Sequence, residues 1–98
     1  IEDELVRLEQ KLRAAQVRPL ISGLRQRAEQ IRQKEVARML HHLPEADDAT
    51  REQVQRLTQA LVNKLLHEPT TRLRREAENG RVEPYADTVR YLFDLEEV

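Results

Sequence analysis

Cysteine is missing from this chain. That removes disulfide frameworks, thiolate nucleophiles and cysteine metal sites together, and fits a reducing compartment. Tryptophan is missing too, and the 98 residues hold only two Tyr and one Phe. Any core is therefore aliphatic, and there is no aromatic interleaving of the kind that stacks single-stranded bases. The two glycines make no Gly-rich phosphate loop. No apolar run approaches the roughly 18 residues of a membrane span, and no signal-peptide pattern opens the sequence. No excess of one charge sign exists either. A net charge of −1 argues against a dedicated polyanion binder and leaves only local patches open. The polar faces mix both signs instead of being rich in Lys and Arg, so a membrane surface is not the expected partner.

What is present is charge and periodic aliphatics. Charged residues make up 36% and hydrophobic ones 39%, and the periodic placement of the latter separates a helical domain from a disordered one. The length sets one domain as the default. Burial set against roughly 1.5 kcal/mol per ordered residue comes out near zero at this size, so help from a partner chain is expected. The opening Ile1-Glu2-Asp3 lacks an initiator Met and reads as the middle of a longer chain.

Four segments precede and follow the central one. Leu5, Leu8, Leu12 and Ala15 form a seam too short to be a coiled coil, on a helix expected to lean on one neighbour. Pro19 marks a break, with Arg18 as the joint and Pro19 as the first residue of the next helix; a kink in one continuous helix is the alternative. That next helix runs from about Leu20 to Leu43. Ile21, Leu24, Ala28 and Ile31 make its first stripe, and Val36, Met39, Leu40 and Leu43 are displaced by about a quarter-turn. Glu35 is expected at the helix edge, paired with an Arg. Pro44 to Ala49 reads as an acidic loop, and Thr50 with Gln53 as a capping box. Beyond the central helix comes a short helix around Leu73 and Ala77, closed by Asn79-Gly80 with a left-handed glycine. Pro84 opens a last helix to about Leu95, with Tyr85, Val89, Leu92 and Phe93 facing inward.

The central stretch, Glu52 to Arg74, organises the rest. Val54, Leu57, Thr58, Leu61, Val62, Leu65 and Leu66 spread over roughly 180° of arc, wider than the roughly 100° stripe of a helix lying on one core. Such a helix touches two neighbours, or one neighbour and a second copy of itself. Pro69 is expected to stop or kink it, with a restart from Thr70 to Arg74. The expected fold is all-α, a small bundle of about five helical segments completed as a homodimer. Leu24, Ala28, Ile31, Val54, Leu57, Leu61 and Leu65 are its candidate interface, and His67, Pro69 and Thr70 a structural joint.

Chemistry is sparse. His41 and His42 are adjacent, so their side chains point about 100° apart on a helix, and His67 is distant. No metal site is expected, and His67 is expected to bond a backbone group freed at Pro69. Arg72, Arg74, Arg75 and Arg81 could contact RNA phosphates, but Glu68, Glu76, Glu78 and Glu83 surround them, which favours solvated or ion-paired arginines. No catalytic constellation and no cofactor site is readable, so the chain by itself is not expected to be an enzyme.

Two stretches together resemble a known family. One is Pro19-Leu20-Ile21-Ser22-Gly23-Leu24-Arg25, continued by Ala28-Glu29-Gln30-Ile31-Arg32 and Glu35. The other runs from Leu57 through Asn63-Lys64-Leu65-Leu66-His67-Glu68-Pro69-Thr70 to Leu73-Arg74, and Tyr85 with Leu92-Phe93-Asp94-Leu95 closes the pattern. From about Arg18 to Leu95 the chain resembles the C-terminal dimerisation domain of glutamyl-tRNA reductase. The resemblance implies a parent enzyme that uses NADPH to reduce glutamyl-tRNA to glutamate-1-semialdehyde for tetrapyrrole (porphyrin, haem) synthesis. Its catalytic cysteine and nucleotide site would lie in other domains. Residues 1–18 would be the end of a long linking (spinal) helix and 19–98 the dimerisation domain. A homodimer follows, with tRNA and regulatory proteins as further possible partners and a cytoplasmic location, or plastid stroma in a plant.

Overall fold

The computed structural model describes residues 2–95. Helix α1 spans Glu2–Gln16, α2 Arg18–His41, α3 Asp48–Glu78 and α4 Glu83–Leu92, and no strand occurs among the described residues. The all-α expectation holds, with four helices instead of five segments. The difference lies at Pro69, which sits inside α3 without ending it. Proline removes one donor and crowds the carbonyl four residues back, that of Leu65, and the next residue bonds the two carbonyls that follow it. The buried Thr70 hydroxyl donates to the Leu66 carbonyl at 2.7 Å and the His67 carbonyl at 3.1 Å. The side chain that serves this turn is therefore Thr70; His67 is exposed and makes no side-chain hydrogen bond among the described residues.

Prolines open helices elsewhere. Pro19 and Pro84 lie in the first turns of α2 and α4, where a missing N–H costs nothing. The joint between α1 and α2 is Val17, one residue before the expected Arg18, which is already helical. Val17 itself keeps right-handed helical dihedrals, so α1 passes into α2 through a single residue. Helix α3 is capped by Asp47, not by Thr50: its carboxylate accepts from the Thr50 N–H at 2.8 Å. Thr50, through its side chain first and this N–H second, holds the Asp47 carboxyl below its usual pKa.

Helix α3 packs against both α1 and α2, and α4 packs against α3. A buried cluster sits where the Val17 joint, α2, α3 and α4 meet: Val17, Leu20, Ile21, Leu73, Ala77 and Ala86, with Val82, Val89 and Leu95 against it. The inward residues of α4 are therefore Ala86 and Val89, with Val82 just before it. Tyr85, Leu92 and Phe93 are exposed, contrary to the inward face expected of them. Ala86 lets the helix backbone come close, and a large side chain there could not. Two reverse turns close the helices. Gly80 is left-handed (φ 71°), with Arg81 N–H bonding Glu76 C=O at 2.8 Å. Asp94 repeats the arrangement at φ 54°, with Leu95 N–H bonding Arg90 C=O at 2.9 Å.

The molecule measures 63 × 27 × 17 Å with a radius of gyration of 17.8 Å, against about 13 Å for a compact chain of this length. A rod this thin has little interior. None of α1 is buried: Leu5, Leu8 and Leu12 stand exposed instead of sealing a seam. No helix among the described residues is long and apolar enough to cross a membrane.

Candidate self-association face

Helix α3 carries two apolar rows at four-residue spacing, and they have opposite fates. Val54, Thr58 and Val62 are half-buried, and Leu66 is 6% exposed; this row lies against the rest of the chain. Leu57, Leu61 and Leu65 form the second row and are 62%, 52% and 72% exposed. Residues four apart share a face of a helix, so these three leucines make a continuous apolar stripe turned to solvent.

The register of α2 against α3 is set by a polar clasp that the sequence reading had not singled out. Arg32 is only 10% exposed at its side chain. Its Nε donates to Glu29 at 2.9 Å, and its Nη2 pairs with the other Glu29 oxygen. Its Nη1 then reaches across to Gln55 at 2.8 Å and Thr58 Oγ1 at 3.3 Å. The Arg32 hydrogen bonds hold the Glu29 carboxyl below its usual pKa, and Glu29 raises that of Arg32. The only signal in the sequence was the spacing of three between Glu29 and Arg32, which is common on charged helices. Ile31, next to Arg32, lies at the same level along the bundle as the start of the leucine stripe and is exposed.

The candidate interface residues thus divide. Ile31, Leu57, Leu61 and Leu65 are exposed, Ala28 and Val54 are half-buried, and Leu24 is 1% exposed, already packed within its own chain. Glu35 is paired as expected, accepting from Arg38 at 2.6 Å. The four candidate RNA-contacting arginines do not converge. Arg72 approaches Glu68 at 3.6 Å and Arg81 approaches Glu76 at 3.3 Å. Arg72 and Arg75 share a pocket with Pro69 and Tyr85, whereas Arg74 lines a different groove against α1 and α2. His41 and His42 tilt their rings at 49° with centroids 5.9 Å apart. No cluster of His, Asp or Glu with the makings of a metal site occurs among the described residues.

The chain therefore presents a row of large aliphatic side chains on a scaffold too thin to cover them. A sequence model described as the glutamyl-tRNAGlu reductase dimerisation domain matches residues 1–95. The chain belongs to the glutamyl-tRNA reductase dimerisation-domain family. Among curated relatives, the glutamyl-tRNA reductase of Syntrophotalea carbinolica is 41% identical over 97% of the chain. Those of Syntrophobacter fumaroxidans and Trichlorobacter lovleyi are 37% and 36% identical over 97% and 98% of it. The chain spans about a fifth of the length of these relatives (21%, 21% and 22%). No solved structure matches. For a dimerisation-domain family, an exposed leucine stripe is what the chemistry requires: apolar surface that water covers in the single chain and a second subunit can cover in an assembly.

Proposed function

We propose that this chain is the self-association module of a glutamyl-tRNA reductase, and that two copies meet through the Leu57–Leu61–Leu65 row of α3 with Ile31 of α2. The exposed stripe carries the proposal. Three large leucines in line on one helix form the kind of patch that marks an interface in a soluble protein. Ala28 and Val54 flank the contact, and Leu24 supports it from beneath. The relatives are named for reduction of glutamyl-tRNA, and the parent enzyme is read as an NADPH-dependent oxidoreductase yielding glutamate-1-semialdehyde for tetrapyrrole synthesis in the cytoplasm. Residues 1–18 then serve as the end of the linking helix and 19–98 as the dimerisation domain.

The residues here do not fit NADPH. Gly23 lies within α2 and Gly80 caps α3, so neither belongs to a phosphate-cradling loop, and no step of the reduction is assigned to this chain. Its contribution is to hold two catalytic bodies at a fixed distance.

The test is the mass of the chain in sedimentation equilibrium across a dilution series. A dimer that dissociates on dilution, and that Leu61→Ala shifts toward monomer, is the expected result. A constant monomer mass, for this chain and for one carrying the preceding domain as well, would overturn it.

A further inference from the structure

Where the α2–α3 hairpin closes, a cleft of about 720 Å³ lies between the two helices. Its polar lining is made of groups able to donate: the guanidinium groups of Arg32 and Arg51, the imidazole of His41 and the amides of Gln33 and Gln55. No carboxylate lines it among the described residues. Arg32 is already engaged by Glu29, Gln55 and Thr58. By taking the Gln55 oxygen it leaves the Gln55 NH2 without a partner among the described residues. Arg51 is half-buried and ion-paired with no carboxylate among the described residues. Its Nε donates to the Ala46 carbonyl at 3.1 Å, which anchors the side chain and leaves the outer edge of the fork, Nη1 and Nη2, to a ligand.

We propose that this cleft binds a small organic carboxylate with an aliphatic tail. The free edge of a guanidinium matches a carboxylate through two parallel hydrogen bonds, and the Gln55 amide and His41 ring are further donors in the same cleft. The remaining wall is aliphatic, with Val36, Leu40 and Pro44, and it shields from water a tail that acetate and phosphate do not have. One unpaired guanidinium answers one negative charge. The adjoining loop carries Glu45, Asp47 and Asp48, which repel a long polyanion or an acidic peptide, so the ligand is a compact monoanion. Seated there, it touches α2 and α3 together and fastens the hairpin whose register the Arg32 clasp sets. Gln55 in the cleft and Leu57 in the exposed row stand about 200° apart around α3. The cleft is therefore distinct from the leucine stripe, and the inference stands whether or not the chain self-associates.

The experiment is a proton–nitrogen correlation NMR titration of the whole chain with hexanoate, acetate and inorganic phosphate in turn. Hexanoate produces saturable shifts at the Arg51 Nε–H and the Gln55 side-chain amide. It binds about tenfold more tightly than acetate, the effect of covering roughly two methylene groups. Arg51→Gln removes the charged donor pair and weakens hexanoate by about tenfold or more. Ala37→Leu fills the cleft from an exposed helical position and keeps every cation; it weakens hexanoate to a similar degree, which guards against Arg51→Gln disturbing the fold. Arg38→Gln, whose arginine pairs with Glu35 outside the cleft, leaves the affinity unchanged. Bound hexanoate also raises Tm, and that rise disappears in Ala37→Leu. The inference falls if no shift saturates, if acetate or phosphate binds as tightly as hexanoate, or if Ala37→Leu binds as well as the unmodified chain. It falls equally if the largest shifts collect at Leu57, Leu61 and Leu65. Sedimentation of the same variants reports self-association separately, so either reading can fail alone.

Discussion

Leu65 and Leu66 are neighbours in sequence about 100° apart around α3, one exposed and one buried, and truncating each separates association from folding. Leu65 is 72% exposed in the single chain. Full burial of a leucine is worth about 1.5–3 kcal/mol, so a partner gains at most about 1–2 kcal/mol by covering it. In a two-fold interface the residue counts twice, which makes about 2–4 kcal/mol per dimer and about a 30- to 1,000-fold rise in Kd. Alanine retains the Cβ, so Leu65→Ala belongs at the lower end. Its cost to the fold of the single chain is below about 1 kcal/mol, because little of the side chain is buried there. Leu66 is 6% exposed, and Leu66→Ala costs about 2–5 kcal/mol of folding stability. Sedimentation equilibrium reads the first effect. Urea unfolding at a concentration below the dimer Kd reads the second, since association otherwise adds to apparent stability. Leu65→Ala should weaken the dimer and spare the monomer, while Leu66→Ala should lower the monomer's urea midpoint. An unchanged dimer Kd in Leu65→Ala would refute the placement of the interface on this stripe.

Thr70→Val keeps the shape at the proline turn and removes the hydroxyl that bonds the Leu66 and His67 carbonyls; a loss of about 0.5–1.5 kcal/mol in urea unfolding is expected. Asp94 holds a left-handed φ of 54°, so Asp94→Gly should raise Tm, by a gain of up to about 1 kcal/mol, while Gly80→Ala, at φ 71°, should lower it. Acid should destabilise the fold through two carboxylates, Glu29 in the Arg32 clasp and Asp47 at the α3 cap, whose pKa values are both depressed. Groups of that kind contribute stability above their unfolded pKa and lose it as pH falls through the folded one, so the loss from this source should come below about pH 4. Asp47→Asn keeps a capping side chain that does not titrate. It should flatten part of the acid limb in circular dichroism, and an unaltered limb would remove the cap from the account.

The periodicity of the sequence was enough to establish a helical domain, because apolar residues three and four apart can share a face only on a helix. It was also enough to mark α3 as apolar on two sides. The Asn79-Gly80 stop was legible because only glycine takes the left-handed conformation at no steric cost. The Glu35 ion pair was legible because its partner is three residues away on the same helix. Local chemistry carries such features, and local chemistry is visible in sequence.

Other features depended on neighbours that no local pattern contains. Pro69 reads as a break, yet α3 runs through it, because the buried Leu66, Thr70 and Leu73 on either side of it hold this part of the helix against the rest of the chain. The orientation of α4 was decided by the close approach that Ala86 permits, which turned the larger Tyr85 and Leu92 outward. The assignment of Leu24 to the interior and of Leu57, Leu61 and Leu65 to the surface came from α2 lying on one side of this part of α3, with none of the described residues covering the other. The sequence by itself determined that α3 has two apolar flanks. Only the tertiary structure decided which flank is already covered, because burial belongs to the pair of surfaces in contact and not to either one alone.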